Sequence, residues 1–253
     1  MSGNTAPLKT VLRAFEILAL LEEKHKAGPS EIAKQIGVTK ATAHDYLTSL
    51  EQTGFVINED GSYRIGYQLL GLSTRVKYRN PLFNAARAPL QKLSAEIGEL
   101  VHIGVLENGE WVLVHHEGEV TTVDLGVYPG LRFPIHAHAA GKVILAYLSD
   151  ERVREIVETN GLEQITEYTI TDTDELLDEL DDIADTGYAY DSDQVVVGVG
   201  IVAAPVLVDG EPVGSLSIAC PTGRLKNIEY RENLVQHVTE AADEVSINYR
   251  YSV

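Results

Sequence analysis

Lys40, Thr42 and His44 alternate with Ala41 and Ala43 in the run Thr39-Lys40-Ala41-Thr42-Ala43-His44-Asp45-Tyr46-Leu47. Wound as a helix, that run puts Ala43, Leu47 and Leu50 inward and leaves Lys40, Ala41, His44, Asp45 and Thr48 outside. Short and polar side chains on an exposed helix face can hydrogen-bond to base edges while the helix lies deep in a major groove. The chemistry implied is DNA readout.

Such a helix needs support. Ser30 is positioned to cap a preceding helix, Gly37 to take the left-handed turn that ends it, and Thr39 to cap the reading helix. Upstream, Leu8, Val11, Leu12, Phe15 and Leu18 recur at helical spacing and predict a packing stripe beneath the pair. After Gly54, two short β-rich runs, Phe55-Val56-Ile57 and Tyr63-Arg64-Ile65, flank Asp60-Gly61 and predict a hairpin. Three helices followed by a hairpin make a winged helix-turn-helix. A three-helix packing unit without DNA binding is the alternative.

Charge supports the first reading. Of the formal net charge of −18, residues 1–80 contribute +2, from 10 basic and 8 acidic side chains, and the rest −20, from 10 and 30. A field this acidic repels phosphate, so nucleic-acid contact must be confined to the N-terminal part. Lys9, Arg13, Lys34, Lys40 and Arg64 are its candidate phosphate partners. Lys24 and Lys26 read equally well as a solvated helix end. Scarce lysine and abundant carboxylates elsewhere suit solubility in concentrated salt, and a halophilic source is the expectation.

The 253 residues, 44% hydrophobic, suffice for one large or two modest domains. No apolar run approaches the ~20 residues of a membrane span, and Met1 to Lys9 lacks the apolar stretch of a signal peptide, so a cytoplasmic protein is expected. The single cysteine, Cys220, excludes an intramolecular disulfide and a multi-cysteine zinc site.

Residues 1–65 are read as the DNA-binding domain, 66–80 as a linker helix whose apolar stripe, Tyr67, Leu70 and Val76, suits a two-fold contact, and 81–253 as a second domain. There a helix from Leu82 to about Ile97 precedes strands at 100–106, 111–116 and 120–125. Helices follow at 139–148, 150–158 and 173–186, then strands at 196–208 and 213–219, then a helix over 226–248. The order describes an α+β fold with one antiparallel sheet covered by helices.

At the level of family, Val11 to Leu18, Ser30-Glu31-Ile32-Ala33, Lys40 to His44 and Tyr63-Arg64-Ile65-Gly66 resemble the N-terminal half of the IclR family of transcriptional regulators. Pro134 to Ala146, Gly187-Tyr188-Ala189-Tyr190-Asp191 and Gly198 to Pro205 resemble its GAF-like effector-binding half. The resemblance implies a homodimer or homotetramer on a palindromic double-stranded DNA operator, with affinity switched by a small molecule, often a carboxylate metabolite or aromatic acid. It places DNA contacts on Ser30, Thr39, Lys40, Ala41, Thr42, His44, Asp45 and Arg64. Effector contacts fall on Ala139, Ala140, Gly141, on Asp191 in a turn, and on Ile201 and Ser217. A helix starting at Ala139-Ala140-Gly141 would offer free N–H groups to a carboxylate; small residues there would equally serve tight packing. Gln194, Ala219 and Asp45 depart from the family's common Glu, Ser and Arg.

No cofactor, metal or membrane partner is expected. His102, His115, His116, His136 and His138 lack a compact metal motif and read as satisfied or pocket-lining residues. Cys220 reads as core. Gly198-Val199-Gly200 lacks the third glycine of a dinucleotide loop and reads as a strand start or bulge. Glu-rich 151–185 reads as a solvated surface. Competing functions are a ligand-independent architectural DNA-binding protein and an enzyme with an appended DNA-binding domain; no nucleophile elbow, zinc motif or phosphate loop favours the enzyme.

Overall fold

A computed structural model describes residues 7–118 and 126–252, which form two compact units dividing between Lys77 and Tyr78. In the first, α1 (Lys9–Lys24), α2 (Pro29–Gln35) and α3 (Lys40–Gln52) are followed by the hairpin β1 (Val56–Glu59) and β2 (Ser62–Ile65). Ile17, Leu21, Ile32, Ala43, Leu47, Val56 and Tyr63 are its buried centre. The α1 stripe differs from expectation. Ile17 and Leu21, with Leu18 and Leu20 beside them, face the core, whereas Leu8, Val11, Leu12 and Phe15 lie 50–74% exposed. The core is short, so only the C-terminal turns of α1 reach it. Then α4 (Gln68–Arg79) carries the chain onward with no buried residue.

The second unit is a six-stranded antiparallel sheet with helices on both faces. Its strands are β3 (Leu100–Glu107), β4 (Glu110–Glu117), β5 (Arg132–Pro134), β6 (Ala189–Ser192), β7 (Val199–Val208) and β8 (Glu211–Pro221), in the order β5-β4-β3-β8-β7-β6. Alternation along each strand sorts the side chains between two cores. Val101, Ile103, Val202, Ala204, Leu216, Ile218 and Cys220 pack against α5 (Pro81–Ile97) and α10 (Ile228–Ser252). Trp111, Leu113 and Ala203 face α6 (Ala139–Leu145), α7 (Asp150–Asn160) and α8 (Thr173–Thr186). A short α9 (Thr222–Leu225) precedes α10. Among the described residues, the three tight hairpins turn on an Asp-Gly or Asn-Gly pair with positive φ at both residues, Asp60-Gly61, Asn108-Gly109 and Asp209-Gly210, the dihedral signature of the turn that matches strand twist.

Several expected elements shift. Asp191 lies on edge strand β6 rather than in a turn, because residues 189–192 pair with β7. The strand expected from 196 starts at Val199. β5 went unread, being three residues long, and the strand expected at 120–125 lies outside the described residues. None of the described helices is long and apolar enough to cross a membrane.

Packing around α6 is tightest at Gly141. A Cβ there would lie 1.8 Å from the Ile135 carbonyl oxygen, in the 3-10 turn Ile135–Ala137 that leads into the helix. Backbone cannot yield as a side chain does. Gly141→Ala is therefore expected to destabilise the second unit by at least the ~1–3 kcal/mol typical of an overpacked core, read as a lowered thermal midpoint. An unchanged midpoint would show that the turn and helix can separate freely.

Candidate functional site

The helix-turn-helix is built largely as its residues suggest. Thr39 caps α3, its hydroxyl accepting the Thr42 N–H at 3.1 Å. Gly37, at φ +67°, makes the turn between α2 and α3. Ser30 does not cap α2; Gly28 holds that position and Pro29, with its preset φ, starts the helix. Ser30 sits exposed in the first turn. Lys40, Ala41, His44 and Asp45 are exposed on α3, Thr42 is half-buried with its hydroxyl 2.9 Å from that of Thr39, and Ala43 and Leu47 are fully buried beneath. The face thus offers a cation, an imidazole and a carboxylate around small residues.

The wing is electrostatically different from expectation. Arg64 Nε donates to Glu59 at 2.6 Å, and the same carboxylate receives Lys26 Nζ at 2.7 Å. A further guanidinium nitrogen of Arg64 donates to the Ile65 carbonyl at 3.0 Å, and the group lies 5.7 Å over the Tyr67 ring. The two cations hold the Glu59 carboxyl below its ordinary range, Lys26 contributing most. Arg64 is therefore not a free cation. Lys34 and Lys40 make no ion pair among the described residues.

In the second unit, the side of the sheet under α6 encloses a cavity of about 200 Å³. Its wall includes His102, Trp111, Leu113, Leu131, Phe133, His138, Ala140, Asp191, Val196, Ile201, Ser217 and Ala219. Four of the six anticipated effector positions, Ala140, Asp191, Ile201 and Ser217, line it. Ala139 and Gly141 do not, and their N–H groups are engaged: Ala139 donates to Asp191 Oδ2 at 2.6 Å, and Gly141 to His138 Nδ1 at 2.9 Å. Two of the three N–H groups of the expected anion seat are thus taken by the protein's own side chains.

The wall is mostly apolar. Trp111 donates its indole N–H to Ser215 Oγ at 2.9 Å, and its ring stands edge-on to His138 with centroids 5.0 Å apart. Gly104 makes room for it, since a Cβ there would meet the indole at 2.1 Å. Burial raises Asp191 to about 7, against the lowering effect of the Ala139 N–H, and depresses His138 to about 4 and His102 to about 3. Among the described residues the cation acting on Asp191 is Lys142, which is fully buried and bound to Glu179 at 2.7 Å.

His136 and His138 do not share a face. The intervening 3-10 turn directs His136 Nε2 toward the Glu163 carbonyl at 3.2 Å, while His138 enters the cavity wall. No group of three or more metal-binding side chains occurs among the described residues. Cys220 belongs to the opposite core, and burial pushes its thiol up to about 12. Trp111 and Phe133 were absent from the anticipated wall; their isolation among β-rich runs gave no sign that both would turn to the α6 side.

Comparison with known proteins bears on both units. Residues 10–59 match the family described as IclR helix-turn-helix domain, and residues 75–247 that described as Bacterial transcriptional regulator IclR C-terminal. The chain is 30% identical to HTH-type transcriptional regulator KdgR of Dickeya chrysanthemi, over 92% of this chain and 78% of that one. A solved structure of Thermotoga maritima IclR superposes with a TM-score of 0.82 at 27% identity, covering 95% of this chain and 98% of the other. The inducer-binding domain of PobR from Acinetobacter, a double mutant solved with 3-hydroxybenzoic acid, gives a TM-score of 0.60 at 28% identity over 64% of this chain and 96% of its own.

The two surfaces of the first unit should respond oppositely to mutation. Lys40→Ala with His44→Ala is expected to lower affinity for the cognate site by about 1–3 kcal/mol per lost base contact. Glu59→Gln, which releases Lys26 and Arg64, is expected to raise affinity for all DNA sequences and to steepen the salt dependence. Gel-shift titrations over a salt series distinguish them. Unchanged specific affinity in the first variant, or a flatter salt slope in the second, would refute the respective assignment.

Proposed function

The chain belongs to the IclR family of transcriptional regulators, and from that premise we propose that α3 reads a palindromic operator while the cavity under α6 holds the effector that controls operator affinity. On the DNA side, Thr39, Lys40, Ala41, Thr42, His44 and Asp45 form the base-facing set. Ser30, near the start of α2, and Arg64, once released from Glu59, serve the phosphate backbone. The protein acts where that DNA lies, in the cytoplasm.

The cavity carries the effector reading. Its about 200 Å³ exceeds the ~150 Å³ that holds a benzene ring, and the walls supply Trp111, Phe133, Leu113 and Ile201 to cover one. A small aromatic acid is the occupant that fits both this shape and the 3-hydroxybenzoic acid in the PobR relative. An open, ring-sized chamber argues against a ligand-independent architectural protein, whose interior would be filled. Against an enzyme stands the thiol of Cys220, which burial raises to about 12 in the opposite core.

Homo-oligomerisation is part of the same reading. α4 has no buried residue, and Tyr67 just before it and Leu70, Leu72 and Val76 on it are exposed, as are Leu8, Val11, Leu12 and Phe15 on and beside α1. A 12-residue helix is marginal alone in water and gains stability by packing, and exposed apolar stripes of this extent mark contact surfaces. A second copy, related by the two-fold of the operator, is the partner.

Filling the cavity tests the control site. Ala140→Leu is expected to abolish the influence of added aromatic acids on operator affinity while ligand-free binding stays within twofold of the unmodified protein, measured by gel shift. Retention of the full response would place the effector elsewhere. Phe15→Glu is expected to shift the protein toward monomer in sedimentation at micromolar concentration and to cut operator affinity at least tenfold. An unaltered sedimentation coefficient would remove α1 from the interface.

A further inference from the structure

Two imidazole nitrogens in the cavity wall, His138 Nε2 and His102 Nε2, are buried and have no hydrogen-bond partner among the described residues. The proton position on His138 follows from the other side of its ring. Gly141 N–H points at Nδ1 from 2.9 Å, and because a backbone N–H only donates, Nδ1 is bare and the proton sits on Nε2. Charging this ring would put a second proton against the Gly141 N–H and undo the cap of α6. His138 therefore presents a neutral, permanently oriented donor.

Asp191 borders the same cavity, with Oδ2 held by the Ala139 N–H at 2.6 Å. No Lys or Arg is among the described lining residues. A ligand carboxylate entering here meets neutral donors, His138 Nε2–H and the Ser217 hydroxyl, and a second carboxyl group, with no lining cation to balance two negative charges. Two carboxylates in contact in such a setting do not both stay ionised.

Resting on the cavity as effector site, we propose that the effector's carboxyl group docks between His138 Nε2–H and Asp191 and binds together with one proton taken from solvent. One ligand oxygen accepts the His138 hydrogen bond. The other shares the incoming proton with Asp191, so ligand carboxylate, Asp191 carboxylate and one proton yield a site with a single net negative charge and no broken covalent bond other than that to the proton's carrier in water. His138 is the specificity-determining donor, a role that selects acids over uncharged rings of the same size.

Other groups around Asp191 set where this linkage appears. Beside the cap residue His138 lie Lys142 from α6, Glu179 from α8, Asp193 from the loop after β6, His102 from β3 in the same cavity wall and Cys220 from β8. Lys142 opposes the upward push of burial, and Glu179 and Asp193 add to it. Asp193 is itself held by the Gly198 N–H at 2.6 Å and the Thr222 hydroxyl at 2.7 Å. With Asp191 raised to about 7, the proton is already in place below that pH and must be taken up above it.

Trp111, the only tryptophan, reports from the same wall. Its emission during titration with benzoate is expected to give a dissociation constant that is flat from about pH 6 to 7 and rises about tenfold per unit above. Calorimetry at about pH 8, in two buffers of different ionisation enthalpy, is expected to show one proton taken up per benzoate. Asp191→Asn should flatten the pH profile. His138→Asn, whose shorter side chain retains an acceptor for the Gly141 N–H, should weaken benzoate at least tenfold at every pH. A pH-independent constant with no proton uptake, or unaltered benzoate affinity in His138→Asn, overturns the proposal and leaves the cavity as effector site. Binding of toluene without benzoate at millimolar concentration does the same. If neither molecule, nor 3-hydroxybenzoate, changes Trp111 emission, the effector-site reading falls with it.

Discussion

The second unit is organised around a buried carboxylate set against the start of a helix. Asp191, on edge strand β6, accepts the Ala139 N–H, and one turn on His138 accepts the Gly141 N–H. These two bonds satisfy backbone donors that a helix leaves orphaned at its N-terminus, and the first ties α6 to the edge strand β6. A buried carboxyl group in apolar surroundings is costly to ionise unless it is hydrogen-bonded or paired. Here the Ala139 N–H and, less strongly, the charge of Lys142 offset part of that cost, which is why Asp191 is raised only to about 7. The cavity is the space left beneath this junction.

Specificity in such a chamber comes from few polar groups. Apolar walls discriminate poorly between rings of similar size, whereas a buried donor left unmatched penalises every ligand that cannot engage it. His138 is that donor, and its rigidity is a consequence of capping α6 rather than of any contact with ligand. The same side chain thus serves the fold through one nitrogen and the cavity through the other. Trp111 is placed by a comparable economy: Gly104 on the neighbouring strand β3 leaves the room its ring fills, and Ser215 takes its N–H.

Much of this was legible in the sequence because the signals were local. Thr39 capping α3, the Gly37 turn, the Asp60-Gly61 hairpin and the inward Ala43 and Leu47 all depend on residues within a few positions of one another, and the structure shows them as read. The resemblance to a known family supplied Ala140, Asp191, Ile201 and Ser217, which do line the cavity. What escaped reading was non-local. Nothing near Ala139 indicates that a side chain 52 residues later will take its N–H, so a partly occupied seat looked open. The exposure of Leu8, Val11, Leu12 and Phe15 likewise follows from how small the first core is, a property of the packed unit and not of the α1 pattern. Arg64 looked like a free cation because Glu59 is its neighbour across a hairpin rather than along a helix.

The wing's ion pairs also bear on how so acidic a chain meets DNA. With a net charge of −18, long-range attraction to phosphate is absent, and most of the acidic excess lies beyond residue 80. Within the first unit, Lys24 is committed to Glu31, and Lys26 and Arg64 to Glu59. Exposed pairs of this kind contribute little to stability, so their larger effect is to lower the number of cations available for counterion release. Fewer phosphate contacts mean a shallower dependence of affinity on salt. Discrimination then falls more heavily on α3, where Lys40 makes no ion pair among the described residues and small neighbours let the helix approach the base edges closely.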